Sequence, residues 1–387
     1  MFTERGRFGA SAMCNWDLDR PTLQVPFQKS CSDTTTRMPK ETSSAASATA
    51  RRSSRAAAGV LLAAAALFAH GGNAWAEPPA PSAWSNEPIK PLPALPVLDA
   101  RKVALGQQLF EDRRLSSNNA QACISCHDIH TNGATGKTKD VGPFGQPMLR
   151  NTPTIFNSAL NFRQFWDGHL ATQHAAISEV VQNPVVMRST WHEVLGKLRS
   201  DHVVVDKFTA IYPDGVQQNN VMDAMATFMK TLQTPNARID RYLAGENSAL
   251  TPDERLGYQL FKSYGCVACH QGANIGGNMF QVMGVLGNRG LYFTKDGALV
   301  TDLGRYAVTK QEADKFVFRV PSLRNVAVTP PYFHDGSAST LPEAVHAMFE
   351  YQLGRKPSPQ DLELIVKFLG ALTGEYQGHP LKAPESR

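Results

Sequence analysis

A mainly α-helical protein built from two similar halves, with long loops ordered around buried groups, is the fold class this sequence predicts. Three observations carry the prediction. A five-residue pattern, C-x-x-C-H, occurs twice, at Cys123-Ile124-Ser125-Cys126-His127 and at Cys266-Val267-Ala268-Cys269-His270. The blocks around the two occurrences repeat. Apolar residues recur at helical spacing, and little of the chain alternates as a strand would.

The pattern has a chemical reason. Two thiols three positions apart can each form a thioether to one porphyrin edge, and the adjoining His can offer its imidazole to the iron. A redox dithiol needs no such His. A single zinc cluster of four Cys and two His does not require the His to follow the second Cys immediately in both pairs. The chain is therefore expected to carry two covalent c-type haems, held by Cys123, Cys126 and His127 and by Cys266, Cys269 and His270.

The repeat extends beyond the motifs. Leu105-Gly106-Gln107-Gln108-Leu109-Phe110 matches Leu256-Gly257-Tyr258-Gln259-Leu260-Phe261, each just before its motif. Pro153-Thr154 and Asn157 match Pro321-Ser322 and Asn325. Phe165-Trp166-Asp167-Gly168 matches Phe333-His334-Asp335-Gly336 at the same offset. A duplicated single-haem unit accounts for all three blocks. It gives two cytochrome c-like domains and makes Trp166 and His334 equivalent.

In chain order, residues 1–76 read as an export leader. Arg51, Arg52 and Arg55 precede the apolar run Ala56–Ala69, and Ala74-Trp75-Ala76 fits a cleavage site, so the signal peptide would be removed near Ala76. The stretch before the run is long, and Met38 is an alternative start. The run is short for a membrane span, and a retained N-terminal anchor is the alternative to cleavage. Residues 1–76 hold nine of the 39 Lys and Arg and five of the 34 Asp and Glu, which leaves 30 against 29. That balance carries no nucleic-acid footprint. Cys14 and Cys31 fall in the leader, so the remaining four Cys all belong to the motifs and no structural disulfide is expected.

Residues 77–97 are Pro-rich and read as an extended arm. A helical pattern starts after Asp99, and further helices are expected over 170–182, 219–232 and about Ser358 to Leu372. Thr251-Pro252-Asp253-Glu254 is a helix start. Thr234-Pro235 through Gly245 read as a crossing between domains. Residues 271–315 read as irregular, with turns at Gly276-Gly277 and Asp296-Gly297. The domains are placed at 98–240 and 246–375, with a tail over 376–387.

These blocks resemble the bacterial di-haem cytochrome c peroxidase family, which includes the MauG-type protein-oxidising enzymes. The resemblance spans about residues 98–375. Besides the two motifs, it is carried by Arg150-Asn151-Thr152-Pro153-Thr154, Gln164-Phe165-Trp166-Asp167-Gly168, Asn183-Pro184, Leu323-Arg324-Asn325-Val326 and Pro331-Tyr332-Phe333-His334-Asp335-Gly336. It implies a periplasmic oxidoreductase that reduces hydrogen peroxide with electrons from a small cytochrome c or a cupredoxin. The first haem, on His127, would be the peroxidatic one. The second would take Met348, fourteen residues beyond His334, as its other axial ligand. A thioether there favours Fe(II) and raises the potential, whereas MauG itself has Tyr at this position. Trp166 resembles the Trp that lies between the two haems, and His334 a residue near the second haem but not a ligand. The resemblance further implies a calcium ion held by the Asn151 side chain and the carbonyls of Thr329 and Pro331, and a homodimer.

The chain departs from the family around the first haem. Pro143 stands where a distal His often caps that iron. Ala176 and Val186 occupy the positions of the usual pocket Gln and Glu. Val cannot move a proton between peroxide oxygens. His174, Glu179, Gln146 and Gln182 are the nearby polar candidates, most of them expected to be solvated. The departures leave a non-catalytic di-haem electron carrier as an alternative to the peroxidase, and a MauG-like protein oxidase as another.

Overall fold

The structure is a computed structural model that describes residues 86–286 and 302–384. The leader, Cys14, Cys31 and the Asp296-Gly297 turn lie outside the described residues. All described residues belong to one compact unit, Ala76–Arg387.

Helix α1 (Ala100–Phe110) begins where Asp99 accepts a hydrogen bond from Arg101 N. The first half continues with α2 (Gln173–Gln182), α3 (Trp191–Arg199), α4 (His202–Thr209) and α5 (Gln218–Thr231). Thr172, Thr190 and Asp201 cap α2, α3 and α4 through their side-chain oxygens. The short α6 (Arg238–Leu243) leads into α7 (Pro252–Ser263), where Thr251 and Glu254 form a reciprocal capping box. After α8 (Tyr306–Thr309) come α9 (Leu341–Ala347) and α10 (Pro359–Gly370), the latter capped by Ser358. Strand β1 (Phe280–Val282) pairs antiparallel with β2 (Val317–Arg319), with Phe280 opposite Arg319. A second two-stranded piece joins β3 (Glu375–Tyr376) to β4 (His379–Pro380). The mainly helical expectation holds, and the expected helices fall within a few residues of α1, α2, α5, α7 and α10.

The repeat is visible in the packing. Helix α1 lies across α5, and α7 across α10. At both crossings a glycine removes the Cβ that would otherwise block the approach. A Cβ on Gly106 would fall 2.0 Å from the carbonyl oxygen of Ala224, and one on Gly257 2.0 Å from that of Leu364. The matching Leu-Gly-x-x-Leu-Phe blocks thus encode one helix crossing twice. Each crossing sits in its own apolar cluster, one around Phe110, Phe208 and Phe228, the other around Phe261, Phe349 and Phe368.

Three segments behave differently from the sequence expectation. The stretch read as a crossing contains α6, whose Ile239 and Leu243 are buried in the second cluster. The Pro-rich arm is extended but not free. Ile89 is fully buried in the second cluster and bridges Gly272, while Glu87 accepts hydrogen bonds from Tyr258 and Lys262. The tail crosses the other way, placing Leu381 in the first cluster and Tyr376 against Phe156. Each end of the described chain therefore docks on the half more distant in sequence. No helix among the described residues is long and apolar enough to cross a membrane.

Candidate functional site

Both C-x-x-C-H motifs fold into the same turn. Cys123–Ser125 and Cys266–Ala268 are single 3₁₀ turns, and the N–H of the following His bonds back to the first Cys carbonyl at 2.9 Å in each. Gly265 enters the second turn at a φ of 84°, a left-handed conformation that glycine adopts without steric cost. All four thiols are free. Burial pushes Cys123 and Cys126 up to about 12 and Cys266 to about 11. A raised value is the opposite of what activates a thiol for disulfide exchange.

Both His are half-buried, and their surroundings favour the neutral ring. Burial lowers His127 below the ordinary imidazole value and takes His270 down to about 4. The Nδ1 of His127 lies 3.2 Å from the carbonyl of Gly133, which places the ring proton there and leaves Nε2 with a free lone pair. The Nδ1 of His270 is buried without a hydrogen-bond partner.

His270 opens into a cavity of about 430 Å³ shared with Cys266, Cys269, Met348 and Trp166. Its walls are mainly apolar, with Phe261, Leu341, Phe349 and Leu369 among them. Capped by Thr340 and Glu343, α9 delivers Met348 to this cavity, and the chain then widens into a π turn over Met348–Gln352. Such turns recur at functional sites. Free thiols on one wall, a neutral imidazole, a thioether and an apolar interior fit a covalently attached haem. At the first motif, the matching turn and the anchored His127 fit the same group.

Trp166 sits where the halves meet. Its Nε1 donates to the carbonyl of Asn151 at 2.9 Å, and its ring meets His334 edge-on at 6.3 Å. The equivalence of the two halves is reciprocal here. Asn151 N donates to His334 O, and Arg319 N, 168 residues later, donates to Trp166 O, both at 2.7 Å. Phe165 and Phe333 adopt φ values of 66° and 71°, so both loops turn the same way. Isolated bridges Gln164–Leu170 and Tyr332–Ala338 keep the same offset. Asn157 and Asn325 both donate to the buried hydroxyl of Thr234, at 2.8 and 3.0 Å. His334 is buried, stacked on Phe318 at 4.2 Å, and held below the ordinary imidazole value by that burial.

Asn151, Thr329 and Pro331 all line the cavity wall. Asn151 Nδ2 donates to the carbonyls of Lys137 and Thr138. Among the described residues no cluster of three His, Cys, Asp or Glu could hold a metal ion, and the expected calcium donors are of other types.

Around the first half, Ala176 lies on α2 and Val186 in the turn after Asn183, both half-buried. His174 is largely exposed, and Gln182 is exposed with its amide on Ser178. Gln146 donates to Pro184 O. Glu179 keeps partial exposure but is paired. Its carboxylate is 2.8 Å from His169 Nε2, and His169 Nδ1 is 2.5 Å from Asp167. Asp167 in turn pairs with Arg150, which pairs with Asp302. Burial alone would raise Asp167, but His169 and Arg150 hold it at about 2. Asp167 and then Glu179 raise His169 above its ordinary value. Sequence reading missed this chain of charges because its members come from four separate segments. Only the adjacency of Asp167 and His169 is local.

Two matching C-x-x-C-H turns on a mainly helical frame fit a c-type cytochrome-like redox protein. Comparison with known proteins makes this specific. Residues 100–248 match the family described as di-haem cytochrome c peroxidase. Cytochrome c peroxidase Ccp of Escherichia coli (strain K12) is 41% identical over 292 residues, covering 75% of this chain and 62% of that protein. Cytochrome c551 peroxidase of Nitrosomonas europaea is 40% identical over 293 residues, covering 75% of this chain and 85% of the relative. The chain belongs to the di-haem cytochrome c peroxidase family, a family of oxidoreductases. A solved MauG-like protein associated with microbial copper homeostasis shares the fold, with a TM-score of 0.63 and 24% identity over 78% of this chain and 95% of its own.

Proposed function

We propose that this chain is a periplasmic di-haem peroxidase that reduces hydrogen peroxide. H2O2, two electrons and two protons give two waters, and the electrons come from a small c-type cytochrome or a cupredoxin. The observation that carries the reading is the placement of His270, Met348 and Trp166 on one cavity, with Trp166 tied by hydrogen bonds to Asn151 and Arg319. Each bound haem supplies an iron that changes oxidation state.

The protein's own residues divide the work. Cys123, Cys126, Cys266 and Cys269 fix the cofactors covalently. His127, oriented by Gly133, offers Nε2 at the peroxidatic half. His270 and Met348 serve the electron-entry half, where the thioether favours the reduced iron. Trp166 packs between the halves and shortens the path for the electron. The proposed domains are 98–240 and 246–375, and export follows from the leader cleaved near Ala76. Calcium at the domain boundary is supported by Asn151, whose Nδ2 is engaged while its Oδ1 accepts no hydrogen bond among the described residues. Oxygen donors of this kind suit a hard cation.

Val186 removes the acid–base group at its position, and loss of such a group slows a reaction by roughly 10²–10⁴-fold. This same observation favours a second reading, a di-haem electron carrier without peroxide turnover. Met348, in place of Tyr, argues against a MauG-like oxidase. Stopped-flow absorption after mixing peroxide with the protein and a reduced donor cytochrome decides between these. Donor oxidation stoichiometric with peroxide supports the peroxidase. Slow bleaching alone refutes it and favours the carrier. Modification of a partner protein with no donor oxidation would favour the oxidase.

A further inference from the structure

Arg319 ends β2 and is 4% exposed. The other fully buried arginine, Arg324, is neutralised by Asp240, with Nη1 and Nη2 each 2.8 Å from a carboxylate oxygen. Arg150 has Asp302 and Asp167. Arg319 has no such partner among the described residues. Its Nε donates to Phe165 O at 3.1 Å, and its Nη1 reaches Asn161 Oδ1 and Val320 O at 3.3 and 3.4 Å. Nη2 makes no hydrogen bond among the described residues. Burial lowers the guanidinium to about 10, which leaves it charged at neutral pH. A buried cation facing only neutral oxygens is strongly unfavourable unless an anion compensates it.

The position of Arg319 says where the anion belongs. Arg319 is among the residues lining the cavity shared by Cys266, Cys269, His270 and Met348. In the duplicated frame it stands where the first half has Asn151, and each donates its N–H to the loop of the other half. The second half thus places a cation where the first places a neutral amide. A haem joined to two Cys through its vinyl edge carries two carboxylates on the opposite edge.

We propose that Arg319 is the counter-ion of a carboxylate on the haem attached at Cys266 and Cys269, and that its charge raises the midpoint potential of that haem. The inference rests on the haem reading above. Reduction adds negative charge to the centre, and a fixed cation in a low-dielectric cavity favours it.

The experiment is a spectroelectrochemical titration of the holoprotein and its Arg319→Gln and Arg319→Lys variants, with haem content counted as pyridine haemochrome. The expected result is a lowered potential for the Met-ligated haem in Arg319→Gln, near-native values in Arg319→Lys, and no change at the other haem. Unchanged potentials in Arg319→Gln with two haems per chain would overturn the proposal, as would a shift confined to the first haem. Fewer than two c-type haems in the native protein would fail the haem reading instead. If Arg319→Gln does not fold, resonance Raman of native and Arg319→Lys protein takes its place. A shifted propionate bending mode on one haem supports the pairing, and identical modes refute it.

Discussion

Replacing Gly257 with Ala tests the duplicated helix crossing. The added Cβ would lie 2.0 Å from Leu364 O, 2.7 Å from Leu364 C and 2.9 Å from the Cβ of Phe368. Non-bonded carbons sit about 3.5 Å apart at best, so α7 and α10 must separate by roughly 1.5 Å. The obstacle is backbone inside a hydrogen-bonded helix, and no rotamer change relieves it. Separation would also loosen Tyr258 and Phe261 from Phe368, whose ring centroids lie 5.0 and 5.3 Å away. Overpacking typically costs about 1–3 kcal/mol, and a backbone clash belongs at the upper end. At about 3 kcal/mol the midpoint of thermal unfolding falls by roughly 6–12 °C. Gly196, inside α3, is the control, because a Cβ there meets nothing within 4 Å. Gly196→Ala is expected to stabilise by about 1 kcal/mol through helix propensity alone. Thermal unfolding of the holoprotein by far-ultraviolet circular dichroism measures both. A Gly257→Ala protein as stable as the native one, or one that moves with Gly196→Ala, would refute the crossing.

Other perturbations address the site. Met348→Ala is expected to lower the potential of the second haem in a redox titration, and an unchanged titration removes Met348 as a ligand. Val186→Glu is expected to raise peroxide turnover in a steady-state donor assay, and an unchanged rate means that the position does not face the reacting group or that another acid already serves. His169 has a raised pKa in the folded chain, so its stabilisation is complete below about pH 6.5 and is lost as pH rises through the raised value. Native protein should therefore exceed His169→Gln in melting temperature by more at pH 6 than at pH 9. An equal gap at both would show that His169 gains nothing from its charge.

What the sequence made legible was local or repeated. The haem turns follow from five adjacent residues. Asp99, Thr251 and Ser358 mark helix starts because a cap is a short-range hydrogen bond. The 168-residue offset survives in the bridges, the left-handed Phe165 and Phe333, and the reciprocal bonds at Asn151 and Arg319. Long-range placement was not legible. The arm reads as a linker because its prolines forbid a helix, yet nothing local reveals that Ile89 is fully buried. Nothing local marks Arg319 as a buried cation, and the closure of β1 on β2 and the packing of the Phe165 loop bury it. The pairing of Glu179 was not legible either, since its partner His169 lies in the loop before the helix, at a separation that helix geometry does not predict.

The proposed function needs two unequal haems, one held by His270 and Met348 and one held by His127 where peroxide would react. Electron paramagnetic resonance of the oxidised holoprotein, alongside its Met348→Ala variant, tests this most directly. Two haems per chain are expected. One is low-spin with a His–Met signature that disappears in the variant, and the other is high-spin and unaffected. Two indistinguishable signals, or a His–Met signature that survives the loss of Met348, would contradict it.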